Sequence, residues 1–364
     1  MNTIDASRIN QYAEPQLFAT PAVWFEALYQ DILTAEKLIY IEIYRLNNDE
    51  VGRKIVDVLS KKCKQGLDVK ILVDSWGTKE DDSFFEPITL YNGEVRFFDK
   101  LKMSLDYFSK NHQRNHRKIV VIDNRILHFG SANITFYSSN WRESILRIED
   151  PIALTFKKIL LDNWKIASLE FYKKRKYIKT IKVAGYTVVR DIPSIYSQKI
   201  KKHLENEIHK ARKSVEIITP YFLPGYKLRR LLILAANRGI QVSIYVPIHS
   251  DVRLVDYLRD KYLGFLHVKN IQINFYQPTN LHAKIMIVDS ELFTIGSSNF
   301  DYRSFRYMHE IALSGNNPKI ASLINKYIID LKEDCRDFDY QKWKNRSKIS
   351  KLIGWLLIPF RHLL

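Results

Sequence analysis

The sequence predicts an α/β protein built from two tandem copies of one strand–helix unit, packed with pseudo-twofold symmetry around one shared site. Three observations carry this. NHRKIVVIDNRILHFGSANIT, from Asn115, returns as LHAKIMIVDSELFTIGSSNF, from Leu281, so that His116, Lys118, Asp123, Gly130, Ser131 and Asn133 recur as His282, Lys284, Asp289, Gly296, Ser297 and Asn299. Each pair is separated by the same 166 positions. The segments flanking the two motifs repeat in the same order of strand-like and helix-like patterns. Finally, 364 residues with 46% apolar and 27% charged side chains describe a folded chain able to bury a sizeable core.

The elements follow in chain order. VWFEALYQDILTAEK reads as a front helix, KLIYIEIYRL from Lys37 as a buried strand, and EVGRKIVDVLSKKCKQG as an amphipathic helix. LDVKILVDSWG and GEVRFFDK are the next strands, ahead of the His-Lys strand. In the second copy YSQKIKKHLENEIHKARKS is the front helix, SVEIITPYFLP the strand and YKLRRLLILAANRG the helix. IQVSIYVPIHS and IQINFYQP are its further strands. Gly66 and Gly239 each close a helix where a left-handed residue is wanted. Strand–helix–strand alternation predicts a largely parallel sheet with helices outside. The expected divisions are a first repeat over 1–155, a basic connecting segment over 156–185, a second repeat over 186–335 and a C-terminal segment over 336–364. The first copy has an insert, KLKMSLDYFSKNHQRN, expected to overhang the cleft as a loop.

A His and a Lys two residues apart on a strand share one face and make a cationic corner. Two facing corners supply two imidazoles (His116, His282), two ammonium groups (Lys118, Lys284) and two amides (Asn133, Asn299). That inventory suits a phosphodiester. The Lys and Asn donors, with Ser131 and Ser297 of the turns, would hold its oxygens and counter the charge of the transition state. One imidazole would bond to phosphorus; the other would protonate the leaving oxygen and then activate the acceptor hydroxyl. The lysines supply the positive charge, so no cofactor and no metal is expected. The two imidazoles must start in opposite protonation states, and carboxylates bonded to the far ring nitrogens can set this. Glu143 and Glu310, just past each turn, are the candidates. Asp123 and Asp289 are counted with the site as motif members, their expected part being to tie strand to turn. A lone His-x-Lys is usually a solvated pair; duplication in register overturns that reading. His112 and His116 stand four apart, but HQRNH lacks a zincin Glu and a third ligand. His128 reads as a packing residue.

Two distant cysteines, Cys63 and Cys335, give no disulfide framework and fit a reducing compartment. MNTIDASRINQYAEPQ has no signal-like pattern, so no cleaved leader and no transmembrane helix is expected. The net charge of +17 calls for an anionic partner, either nucleic acid, membrane or a phosphorylated substrate. Its placement favours membrane. FYKKRKYIKTIK from Phe171 is basic, and Lys342, Lys344, Arg346, Lys348 and Lys351 precede Leu352, Ile353, Trp355, Leu356, Leu357, Ile358 and Phe360. Such a segment suits an interfacial helix among anionic headgroups, the alternative being a helix docked on the chain's own core.

The duplicated HxKxxxxD followed by GSxN resembles the phospholipase D superfamily. That resemblance implies two phospholipase D-like α/β halves around one active site and a covalent phosphohistidine route. It implies His116 as nucleophile and His282 as general acid/base. It also implies Lys118, Lys284, Asn133 and Asn299 as phosphate ligands, Glu310 as the carboxylate orienting the first His, and Glu143 as that orienting the second. RNHRKIVVID, ITPYFLP, SNFDYRSF and LHAKIMIVD are most similar to bacterial cardiolipin synthases, of the short type without N-terminal transmembrane helices. The first turn continues NITFYSSNWRES, where Thr135 to Asn140 is shorter than in that group. The implied activity is transfer of a phosphatidyl group between two phosphatidylglycerols to give cardiolipin, at the cytoplasmic side of the cell membrane and with peripheral contact. Hydrolysis of phospholipid or of nucleic acid by the same chemistry is the alternative, and no obligate protein partner is implied. Nucleic acid is the weaker candidate, because the aromatic residues cluster in strand-like runs without basic–aromatic interleaving.

Overall fold

The computed structural model describes residues 12–98, 113–167 and 178–362. Most of the expected overhanging loop, including His112, and much of the basic stretch from Phe171 lie outside the described residues. In the first half the strands are β1 (Gln16–Phe18), β2 (Leu38–Ile43), β3 (Asp68–Asp74), β4 (Glu94–Phe98), β5 (Arg114–Asn115), β6 (Ile119–Ile122), β7 (Ile126–Gly130) and β8 (Ile145–Glu149). In the second they are β9 (Ile181–Val183), β10 (Tyr186–Asp191), β11 (Ser214–Ile218), β12 (Gln241–Pro247), β13 (Ile271–Tyr276), β14 (Ile285–Val288), β15 (Leu292–Gly296), β16 (Met308–Gly315) and β17 (Cys335–Asp337).

The first sheet runs β1-β8-β7-β6-β2-β3-β4, and the second β17-β13-β12-β11-β14-β15-β16-β10-β9. Both are mixed, which corrects the expectation of largely parallel sheets. Only β2-β3-β4 and β11-β12-β13, joined through helices, run parallel within their sheets. The motif strands instead turn back on themselves as hairpins, β6 on β7 and β14 on β15. The cause is legible in the turn residues. Asp123 and Asn124 have φ of 51° and 59°, and Asp289 and Ser290 have 56° and 61°. Successive positive φ values are the signature of a primed turn, whose twist matches an antiparallel pair. Asp and Asn are among the residues that tolerate them.

Helices form where local chemistry favours them. The Asp49 carboxylate accepts from Gly52 N–H at 3.0 Å and opens the helix Glu50–Lys64. That helix buries Ile55, Val56, Leu59 and Cys63 against the first sheet. Leu59 is fully buried, a contribution of about 1.5–3 kcal/mol. Gly66, at φ 88°, takes the left-handed position that ends it, as Gly239 does at 84° for the helix Gly225–Asn237.

The inner faces of the two sheets share one core. Val121, Phe129 and Leu146 of the first half pack in the same cluster as Ile285, Phe293 and Leu313 of the second. Helices Ile152–Ala167 and Pro318–Glu333 belong to that central layer. Residues 156–185, expected as a connecting segment, therefore carry repeat elements at both ends: most of a core helix, and β9 on the edge of the second sheet. At the C-terminus the helix Lys348–Leu356 packs on the helix Arg253–His267, Gly354 lying so close to Tyr257 O that an added Cβ would meet it at 2.8 Å.

Candidate active site

The halves are joined where the site is made. β5, immediately before His116, pairs in parallel with Met308–His309 of β16, immediately before Glu310. By the same rule Arg142, before Glu143, bridges to Leu281, before His282. His116 N–H donates to His309 O at 3.0 Å and His282 N–H to Arg142 O at 2.7 Å. His116 to Lys118 and His282 to Lys284 thus precede β6 and β14 rather than lying within them. At these residues the chain leaves its partner in the other half and joins its own sheet.

This exchange sends each carboxylate to the other half's imidazole. His116 Nδ1 lies 3.0 Å from Glu310 Oε1, and His282 Nδ1 lies 2.7 Å from Glu143 Oε1. The motif serines orient those carboxylates, since Ser297 Oγ donates to Glu310 Oε2 and Ser131 Oγ to Glu143 Oε2. Each serine Oγ also accepts a backbone N–H, from Ile311 at 3.1 Å and from Ser144 at 2.8 Å. The GSxN serines are therefore carboxylate holders. They were expected among the phosphate ligands, and their position behind the glutamates argues for an indirect part.

The tautomer of His116 follows from its neighbours. Nδ1 is also 3.1 Å from Ser297 O, a carbonyl that can only accept. Nδ1 therefore carries the hydrogen, and Nε2 keeps its lone pair. An aromatic edge stands against each ring, Tyr44 at 5.2 Å from His116 and Trp141 at 5.4 Å from His282.

Electrostatically the half-sites differ. Burial, then the charges of Lys118, Lys284 and His282, hold the His116 imidazole well below the usual range. Burial also lowers His282, but the Glu143 carboxylate beside it pulls the other way. Burial raises Glu310 to about 7. Burial would raise Glu143 too, yet His282, Lys284 and Ser131 hold it below the ordinary carboxylate value. A proton shared between the rings consequently favours His282. Burial pushes Lys118 down to about 7 and Lys284 to about 8. Lys118 Nζ donates to His116 O and Lys284 Nζ to His282 O, both at 2.6 Å. Lys284 Nζ also stands within 3.0 Å of both His282 ring nitrogens. Asn133 Oδ1 and Asn299 Oδ1 are buried without a hydrogen-bond partner among the described residues.

Asp123 and Asp289 are not brought to this centre. They stand at the far ends of β6 and β14. Asp123 accepts from Glu36, Lys37 and Leu38 N–H, and Asp289 from Arg212, Lys213 and Ser214 N–H. Their part is to anchor the starts of β2 and β11. His128 is buried between the Trp24 indole at 3.1 Å and Asp31 at 2.8 Å, away from the motif. Sequence reasoning missed Arg117. Fully buried, it donates from Nε to Glu310 O at 3.2 Å and from Nη2 to Asp191 O at 3.2 Å. The signal was available: the first motif reads HRK where the second reads HAK, an arginine that an apolar environment tolerates only with partners.

A family model described as "Cardiolipin synthase, PLD-like domain" matches residues 28–164 and 204–332. The cardiolipin synthase of Clostridium perfringens (strain SM101) is 28% identical over 370 aligned positions, taking in 96% of this chain and 76% of that protein. The cardiolipin synthase of Listeria welshimeri is 31% identical over 320 positions, 84% of this chain and 66% of that one. Among solved structures, phosphatidylserine synthase from Haemophilus influenzae Rd KW20 superposes with a TM-score of 0.75 at 15% identity, over 96% of this chain and 93% of that chain. Polyphosphate kinase from Porphyromonas gingivalis does so at 0.63 and 12%, over 96% and 53%. At such identities these two share the fold alone.

Proposed function

This chain belongs to the cardiolipin synthase family of phospholipase D-like domains, and from that premise we propose that it is a phosphatidyltransferase that joins two phosphatidylglycerols into cardiolipin. The observation that carries the reading is the reciprocal pairing of His116 with Glu310 and His282 with Glu143 in one buried centre. Neutral His116, with its lone pair on Nε2, attacks phosphorus of the first lipid. The bond from phosphorus to the glycerol oxygen breaks as His282 gives that oxygen its proton. The phosphatidyl group is then held on His116, and glycerol departs. His282 next takes the proton from a hydroxyl of the second lipid, that oxygen attacks phosphorus, and the phosphorus–nitrogen bond breaks. Lys118, Lys284, Asn133 and Asn299 hold the non-bridging oxygens throughout. A phosphodiester's negative charge favours both cationic lysines and the imidazolium, and so draws the site toward its working charge state.

The C-terminal helix supports peripheral contact with an anionic membrane. It is docked, through Gly354 and through Leu357 and Ile358 packed near Leu223 and Leu258. Yet Ile349, Leu352, Trp355 and Phe360 remain more than half exposed. The docking matches one expectation for this segment, and the exposed apolar side chains support the proposed membrane contact. No helix among the described residues is long and apolar enough to cross a membrane.

The test is purified protein with phosphatidylglycerol vesicles, expected to yield cardiolipin and glycerol. Phosphatidic acid alone would identify a hydrolase, and DNA digestion with lipid untouched a nuclease. For the membrane face, Trp355→Asp combined with Leu352→Asp should reduce co-flotation with anionic liposomes; undiminished flotation would remove the helix from the contact.

A further inference from the structure

A groove of about 830 Å³ opens beside Trp141, within the range of about 300–1,000 Å³ of sites that take small molecules. Its walls are mainly apolar. Phe25 and Tyr29 come from the helix Pro21–Leu33, Val51 and Ile55 from the helix Glu50–Lys64, and Phe136 and Tyr137 from the turn after the first GSxN. Phe136 and Tyr137 are 57% and 67% exposed, high for side chains of this type. Trp141 lines the groove and sets its ring edge against His282 at 5.4 Å, and Asn280, two residues before that histidine, lines it as well. Asn280 Oδ1 and Nδ2 and Ser139 Oγ, from residues that line the groove, are buried without hydrogen-bond partners among the described residues. Orphaned polar atoms are costly and call for a partner. The rim holds Glu50, Glu26 and Lys54, the last 3.5 Å from Glu26 and 4.5 Å from the Tyr29 ring centre.

The transfer chemistry says which lipid such a groove serves. In the first half-reaction the phosphatidyl group goes to His116, and what stays on the His282 side is glycerol, a small polar alcohol. In the second, the hydroxyl that reaches His282 still belongs to a whole phospholipid. A long apolar groove on the His282 side is useful in the second step alone. We propose that this groove is the acceptor-lipid site, its acyl portion lying along Phe25, Tyr29 and Phe136 and its headgroup hydroxyls meeting Asn280 and Ser139 on the way to His282. The inference rests on the phosphatidyltransferase reading and adds the side on which the second lipid enters. It also gives the short Thr135–Asn140 connection a purpose, since part of that stretch forms the wall.

The experiment uses phosphatidylglycerol vesicles and follows glycerol, cardiolipin and phosphatidic acid together, for the unaltered chain and Phe136→Ser. Phe136 is exposed, so its replacement leaves the core packing in place. Loss of one seated aromatic side chain should lower the ratio of cardiolipin to phosphatidic acid by about tenfold. With ethanol added as a small acceptor that needs no groove, Phe136→Ser should yield phosphatidylethanol per glycerol released as the unaltered chain does. An unchanged cardiolipin ratio, or an ethanol yield that falls in parallel, would overturn the groove assignment. Release of no glycerol by the unaltered chain would instead overturn the transferase reading beneath it.

Discussion

The two half-sites are made of the same residues, yet they hold charge differently. On the His282 side Glu143 has cationic and donor neighbours, His282, Lys284 and Ser131, and keeps its carboxylate ionised. On the His116 side Glu310 shares a buried region with two more carboxyls. Burial, with the Glu310 carboxylate adding to it, raises Asp191 to about 7 and Asp301 to about 6. Burial likewise carries Glu310 to about 7 against the opposing pull of Lys118, Ser297 and Lys284. A duplicated motif thus presents two carboxyls shifted in opposite directions by what stands around them. The motif supplies the groups; the second layer assigns the proton.

The largest test of that comparison replaces the imidazoles themselves. His116→Ala should abolish the acid-labile phosphoenzyme and all transfer. His282→Ala should slow turnover by about 10²–10⁴-fold, the worth of general acid–base catalysis, while still forming phosphoenzyme from a lipid with a good leaving group. A phosphopeptide mapping to His282 would reverse the assignment.

A smaller effect separates the carboxylates. Burial holds the Glu310 carboxyl at about 7 against an ordinary value of 4.5, so the folded state binds the extra proton and stability falls as pH rises between those values. Glu310→Gln carries no such proton. Its melting temperature relative to the unaltered protein should therefore rise from pH 5 to pH 8, by a few degrees for a linkage of about 1–3 kcal/mol. Glu143 is shifted downward, so its stabilisation is complete above its unfolded value. The deficit of Glu143→Gln should stay flat over the same window. Parallel curves for the two variants would show that the half-sites are electrostatically alike.

The smallest effect tests likeness rather than difference. Asp123→Asn and Asp289→Asn keep a residue tolerant of positive φ and remove the charge that anchors three N–H groups. Each should cost about 1 kcal/mol, equal in the two halves, with the balance of cardiolipin and phosphatidic acid unmoved. A change in product balance would bring these residues into the chemistry.

Much of this was legible in the chain. The spacing of 166 positions located both His-Lys pairs, and Glu143 and Glu310 stood at equivalent places after each turn. Local pattern could not reveal strand direction, because a buried strand reads the same in parallel and antiparallel sheets. The Asp-Asn and Asp-Ser turns held that information; their Asp residues were expected to tie strand to turn, but no hairpin was read from them. Arg117 comes to Glu310 through β5 pairing with β16, and Asp191 stands opposite Glu310 where β10 pairs with β16, contacts between residues far apart in sequence. The groove likewise draws on four separate segments, and no periodicity announces it.

The pairing of β5 with β16 has a consequence for how the protein comes to life. While the chain emerges from the ribosome His116 is made 194 residues ahead of Glu310, whose carboxyl stands against its Nδ1. A translation product or proteolytic fragment ending before Glu310 therefore leaves the His116 ring without that partner.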